Sequence, residues 1–322
     1  MEAYLDNSAT TRCMKSVVDT MVKVMEEDYG NPSSMHMYGV KAEKYIKEAK
    51  EIFAKILKCQ EKEILFTSGG TESNNMAIIG GAMANKRNGN HIIVSSVEHA
   101  SVKQPMRFLE EQGYRITYLP VDHDGIVSLD ALKEALCEDT ILVSCMYANN
   151  EIGAVEPIEE MAEIIHGFNP DILFHVDAIQ AFGKFRIHPK KQGIDLLSVS
   201  GHKIHGPKGT GILFIRDKAK VNPIILGGGQ QKAMRSGTEN VPGIVGLGEA
   251  IRLACSELEE TSKKLVYLRD KLIKGILDEI PYARLNGHPV DRLPGNCNIS
   301  FEFIEGESML LLLDMKGVYA SS

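Results

Sequence analysis

The sequence has no apolar run long enough to cross a bilayer. Its longest near the end, Met309 to Leu313, falls far short of the ~20 residues a spanning helix needs. The start also lacks a basic segment: Met1-Glu2-Ala3-Tyr4-Leu5-Asp6 carries acid, so no secretory signal is expected. Cys13, Cys59, Cys137, Cys145, Cys255 and Cys297 include no CxxC pair and no His at ligand spacing. That argues against a zinc site or a disulfide framework, and reduced, buried or idle thiols are expected, with no metal. Positive charge is outnumbered, with 36 Lys and Arg against 43 Asp and Glu for a net charge of −7. Nucleic acid and an anionic membrane surface are therefore not expected partners. The first strand is not followed by a GxGxxG fingerprint, which excludes a generic dinucleotide enzyme. Tandem repeats and low-complexity tracts are missing too. The expectation is a soluble cytoplasmic protein.

What is present is ordinary globular composition, 43% hydrophobic and 25% charged, over 322 residues. That length favours one large and one small domain. Val17, Val18, Met21, Val24 and Met25 fall on one helical face, as do Ala42, Tyr45, Ile46, Ala49, Ile52, Phe53 and Ile56. Seven short apolar runs follow, at Glu63–Phe66, His91–Ser96, Arg115–Val121, Thr140–Ala148, Ile172–Ala178, Leu196–Ser200 and Gly211–Ile215. Helix-length amphipathic segments such as Ser128–Leu136 and Pro157–Phe168 separate most of them. Strands alternating with helices predict an α/β fold, a mostly parallel seven-stranded-type sheet sandwiched by helices. After Gly227-Gly228-Gly229 the texture changes. One long helix, roughly Gly243 to Glu279, leads to a strand at Cys297–Phe301, a helix around Glu307–Met315 and the stretch Gly317–Ser322. We expect a large domain over 15–255 and a smaller α+β domain built from 1–14 plus 256–322. A strand left unpaired near Tyr319 would be a liability.

In open α/β sheets ligands collect outside the carboxyl ends of the strands. Four such ends carry unusual polar sequence. Thr67-Ser68-Gly69-Gly70-Thr71-Glu72-Ser73-Asn74-Asn75 joins glycines and hydroxyls to a helix start, which suits a phosphate, although a plain N-capped helix explains it equally well alone. Asp177, ending an apolar strand, needs a partner, either a cationic ring nitrogen or the next helix as its cap. Lys203 lies between His202 and His205 in a glycine-rich turn whose small, apolar flanks would desolvate an amine for Schiff-base chemistry; an exposed basic turn is the alternative. His99, after the strand ending at Ser96, could stack on a planar cofactor or move protons, or be structural. Jointly the four form the parts of a pyridoxal 5'-phosphate (PLP) site: phosphate cup, acid for the pyridinium, Schiff-base lysine and stacking ring.

Further segments sharpen this. Tyr4-Leu5-Asp6-Asn7-Ser8-Ala9-Thr10-Thr11, Gly30-Asn31-Pro32-Ser33-Ser34, Val97-Glu98-His99, Asn149-Asn150-Glu151-Ile152-Gly153, His175-Val176-Asp177-Ala178-Ile179-Gln180, Ser200-Gly201-His202-Lys203 and Arg235-Ser236-Gly237-Thr238-Glu239-Asn240 occur in that order, with Thr67–Asn75 among them. The ensemble resembles cysteine desulfurases of the NifS/IscS type, class V aminotransferase relatives on the fold-type I PLP scaffold. The resemblance implies that Lys203 carries the cofactor, Asp177 pairs with its pyridinium nitrogen and Gln180 bonds its phenolic oxygen. It implies that His99 stacks on the ring and handles the substrate thiol proton. Gly70, Thr71, Ser200 and His202 would hold the phosphate. Thr238 would reach the phosphate of a partner subunit in a homodimer, and Asn150 would lie beside the ring and the substrate carboxylate. The implied reaction turns L-cysteine into L-alanine and passes sulfur, as a persulfide, to an acceptor protein for iron–sulfur cluster or thio-cofactor synthesis. That acceptor would be an iron–sulfur scaffold or a thiolation protein.

In that family a Ser/Gly-rich loop with the nucleophilic Cys, and the Arg that grips the substrate carboxylate, follow the point corresponding to Ser322. None of the six cysteines matches that loop, so the small domain is expected to stop short of it, with an inactive isolated chain as one expected outcome. Two other readings share the Lys, Asp and His: another class V enzyme, such as a small amino-acid aminotransferase or selenocysteine lyase, and a non-catalytic PLP-holding scaffold. The Thr67–Asn75 and Arg235–Asn240 segments favour the desulfurase.

Overall fold

The β-branched and leucine-rich runs become strands in the computed structural model, which describes residues 2–322. They are β1 (Ala3–Tyr4), β2 (Ile64–Thr67), β3 (His91–Ser95), β4 (Arg115–Leu119), β5 (Thr140–Met146), β6 (Leu173–Asp177), β7 (Leu196–Ser200), β8 (Gly211–Ile215), β9 (Ala283–Leu285), β10 (Ile299–Phe301) and β11 (Val318–Tyr319). Among the described residues, β2 to β8 form a seven-stranded sheet in the order β2-β8-β7-β6-β5-β3-β4. Its four pairings from β7 to β4 are parallel, whereas β8 runs antiparallel to both β7 and β2. The α/β expectation of a mostly parallel sheet therefore holds, each predicted strand falling within two residues of the observed one at either end.

The reason for the uniform hydrophobicity of these runs is that both faces are covered. Every residue of β3, β5, β6 and β7 is buried. Parallel sheets require this, because crossover helices land on either side. Along β6, Phe174 and Val176 join one apolar cluster with Leu197, Val199 and Phe53, while Leu173 joins the other with Leu196, Leu142 and Ile92. His175 points to the same side as Leu173 and bridges strands, its Nδ1 2.8 Å from Ser144 Oγ and its Nε2 3.0 Å from Ser198 Oγ. Burial pushes its pKa down to about 3, so it remains a neutral strand clamp.

The helix Val241–Ser256 packs on Lys15–Glu26 and Met37–Leu57 beside the sheet. Gly246 permits the approach, since a Cβ there would lie 2.7 Å from Met21 Cγ. The single long helix expected from Gly243 to Glu279 is two helices, Val241–Ser256 and Leu258–Glu279, interrupted at Glu257. The first is buried along one face and the second largely exposed, so a bend at Glu257, whose N–H still bonds Leu253 O, lets each follow its own surface. β9 and β10 pair antiparallel apart from the main sheet. The strand near Tyr319 is not left unpaired. β11 runs parallel to β1, with Ala3 N donating to Gly317 O at 2.7 Å and Leu5 N to Tyr319 O at 2.8 Å. No helix among the described residues is long and apolar enough to cross a membrane.

Candidate active site

β2, β7 and β6 point the same way, because two antiparallel pairings through β8 restore the direction of β2. With β3 and β5 they bring the segments that carry Gly70, His99, Asn150, Asp177 and Lys203 to the carboxyl ends of the strands. At the end of β2, Gly69 adopts φ +148°, a conformation that L side chains rarely adopt, and Gly70 opens the helix Gly70–Asn75. A Cβ on Gly70 would meet Ile179 Cδ1 at 2.0 Å. Only glycine therefore lets Ile179 pack directly on the backbone at this helix start. A cavity of about 360 Å³ opens at this point, lined by Gly70, Thr71, Ser200, His202, Thr10 and Lys208 among others. Four residues expected to hold a phosphate thus share one wall.

Lys203 closes the turn that follows β7. Its Nζ donates to Ser8 O and, at 2.8 Å, to Ala9 O. Burial lowers its pKa, opposed by the charges of Asp6 and Asp177. The N-terminal segment is tied to the same turn by Thr11 N and Oγ1, each 2.9 Å from His202 O, and by Thr10 Oγ1, 3.2 Å from His202 Nδ1. His202 is held below the usual imidazole range by burial and then by Lys203 and Lys208.

Asp177 terminates β6, 4% exposed. Its Oδ1 accepts Ile179 N at 2.9 Å and its Oδ2 accepts Asn74 Nδ2 at 2.7 Å. No helix follows Asp177, so in place of capping one it braces the turn after β6 through Ile179 N. Burial raises its pKa, and the Ile179 and Asn74 donors, then His99 and Lys203, pull it back. The other hydrogen of Asn74 Nδ2 goes to Ser101 Oγ at 2.9 Å, and Ser101 Oγ lies 2.8 Å from His99 Nδ1, which also accepts Ser101 N at 3.1 Å. Donation along this chain makes Nδ1 the acceptor and leaves the His99 proton on Nε2. The His99 side chain itself is exposed.

Gln180 is buried and donates to Ser8 O at 3.0 Å. Asn150 sits half-buried in the turn after β5, where its neighbour Asn149 caps Glu151 N and Ile152 N at 2.9 Å each. Thr238 is exposed and does not line the cavity; its segment is anchored to the cup by Arg235 Nε, 2.9 Å from Glu72 Oε1. Sequence reasoning gave no role to Asn74, Ser101, Lys184 or Glu98. Asn74 lay inside a quoted segment, but its partner Asp177 is 103 residues away, so nothing local announced the bond. Glu98 is fully buried, accepting Ser95 Oγ at 2.7 Å and Met146 N at 2.6 Å, and burial raises its pKa to about 8.

These residues fit PLP. They offer a glycine-and-hydroxyl cup, a lysine of lowered pKa, a buried acid braced by donors, and Asn74 Oδ1, buried without a partner. Fold and site together define a fold-type I PLP-dependent enzyme. Residues 3–322 match the family described as Aminotransferase class-V, and the chain belongs to that family. It is 53% identical over 319 residues to "Cysteine desulfurase IscS" of Methanosarcina thermophila, covering 99% of this chain and 78% of that protein. The solved structure titled "NIFS-LIKE PROTEIN" superposes with a TM-score of 0.98 at 40% identity, over 100% of this chain and 88% of its own. "SspA in complex with cysteine" aligns with a TM-score of 0.84 at 36% identity, over 98% and 87%.

Two outcomes are expected. Asn74→Ala removes a donor to Asp177, so PLP affinity measured by absorbance titration should fall about 10–100-fold, the size of one hydrogen bond to a charged group; unchanged affinity would exclude that support. Glu98 binds its proton more tightly folded than unfolded. Its contribution to stability is therefore complete below pH 4.5 and fades as pH rises toward about 8. Glu98→Gln, which mimics the protonated acid, should flatten that decline in urea unfolding measured across the same range.

Proposed function

We propose that this chain is a PLP-dependent cysteine desulfurase that converts L-cysteine to L-alanine and passes the sulfur on as a persulfide. The observation that carries the reading is the convergence of Lys203, Asp177 and the Gly70–Thr71 cup on one sheet edge. The relatives' names give the substrate.

PLP, when bound, supplies an electron sink next to the substrate's Cα. Gly70, Thr71, Ser200 and His202 hold its phosphate, and Lys203 anchors it covalently. Asp177, kept in place by Asn74 and Ile179, holds a proton on the ring nitrogen. Gln180 would donate to the phenolic oxygen, His99 would stack on the ring, and Asn150 would lie beside the ring and the substrate carboxylate. The Lys203 amine, its pKa lowered by burial, is the base that would take the Cα proton of L-cysteine. His99, with its proton on Nε2, is the group that manages the substrate thiol proton. A cysteine thiolate would attack the substrate sulfur, the S–S bond forming as the C–S bond breaks and its electron pair staying on the carbon that becomes the alanine methyl; the persulfide sulfur would then pass to an acceptor protein, an iron–sulfur scaffold or a thiolation protein. Two copies form the working unit, the exposed Thr238 of each serving the other's phosphate. The exposed Tyr29, Met35, Met37 and Tyr38 supply apolar surface for such an interface. A cytoplasmic setting agrees with this chemistry.

The PLP-loaded protein purified from its own gene, given L-cysteine and a thiol reductant, should release alanine and sulfide in equal amounts and sediment as two chains. Lys203→Ala should cut alanine formation by ~10²-fold or more. Transamination products in place of alanine would identify a different class V activity, and a monomer would contradict the shared site.

A further inference from the structure

Gln180 lies three residues beyond Asp177, and its carboxamide is held at both ends. Oε1 accepts Lys184 Nζ at 3.1 Å, and Nε2 donates to Ser8 O at 3.0 Å. An ammonium can only donate and a backbone carbonyl can only accept, so these partners fix which end is nitrogen. Ser8 O also accepts Lys203 Nζ. The N–H end of Gln180 is therefore the end beside the cofactor lysine, while Lys184 holds the far end.

Lys184 is unusual in its own right. It sits half-buried, and among the described residues no carboxylate lies within 4.0 Å of its amine. Desolvation, and then the like charge of Lys203, lowers its pKa to about 8. Burying a lysine without an acid costs stability, so its presence needs a reason other than the fold. Its backbone is fixed by Lys184 N to Ala181 O at 3.0 Å and by Ser262 Oγ to Lys184 O at 3.3 Å, which aims the side chain back along the turn.

We propose that Lys184 is a positioning residue that locks the Gln180 carboxamide with Nε2 toward the cofactor and places a positive charge behind it. This rests on the assignment of Lys203 and Gln180 to PLP. Gln180 is thereby held as a donor to the phenolic oxygen. A polarised donor at that oxygen favours the form of the Lys203–cofactor linkage that has lost its proton, and so keeps the linkage pKa low.

The test is a pH titration of the visible absorption band of the PLP-loaded protein. Lys184→Met should raise the linkage pKa by ~1 unit, the effect of one neighbouring charge. Lys184→Arg should restore most of the wild-type value. Gln180→Leu should raise it as well, and Lys184→Met should then add little in the Gln180→Leu background. An unchanged pKa in Lys184→Met would overturn the proposal. So would an equal shift with and without Gln180, which would make Lys184 a bare charge and not a positioner. If Lys184→Met does not fold by circular dichroism, Lys184→Gln and the Gln180→Leu series answer the same question. Absence of any lysine-linked band in the wild-type protein would refute the cofactor assignment itself, separately from the role of Lys184.

Discussion

Everything at this site depends on keeping an acid, Asp177, under cover at the carboxyl end of a buried strand. Desolvation alone would drive the carboxyl to hold its proton. The Ile179 amide and the Asn74 amide oppose that, and then the charge of Lys203. Burial makes the acid expensive and therefore demanding of a cationic partner, while the donors keep it oriented and ready to accept one. Glu98, equally buried nearby, accepts Ser95 Oγ and Met146 N through one oxygen, and its other oxygen has no partner. It is raised to about 8. Burial raises both acids, and the two differ in the donors that oppose it.

The second constraint is closure by the chain's own start. Ser8, Ala9, Thr10 and Thr11 bond to Gln180, Lys203, His202 and His205, residues about 170 to 195 positions later in the sequence. The parallel pairing of β1 with β11 fixes the approach of that segment. Two backbone carbonyls thus hold the lysine amine, and one of them also holds the Gln180 amide. Lys203 and Gln180 are set relative to each other by a shared acceptor, which no single side chain could do.

Much of this was legible from residue pattern. The buried strands announced themselves because two-sided coverage forces unbroken apolar runs, and Asp177, His99 and Lys203 stood out as polar residues at their ends. Helix continuity across Glu257 was misjudged, because both halves keep a helical period and only the change in which face is covered requires the bend. The pairing of β11 with β1 was invisible because it joins opposite ends of the chain. The supporting polar groups were hidden for the same reason. Asn74, Ser101 and Lys184 act through side chains brought together by the sheet, and an asparagine or lysine in a polar stretch has no periodic signature.

The central claim is that Lys203 is the residue to which PLP becomes attached, and chemical trapping tests it most directly. The PLP-loaded protein would be reduced with borohydride, digested, and its peptides mapped by mass spectrometry. The account predicts one reduced pyridoxyl adduct, on Lys203, lost in Lys203→Ala even though the protein remains folded. An adduct on Lys184 or Lys208 in the wild-type protein, or none at all, would contradict it.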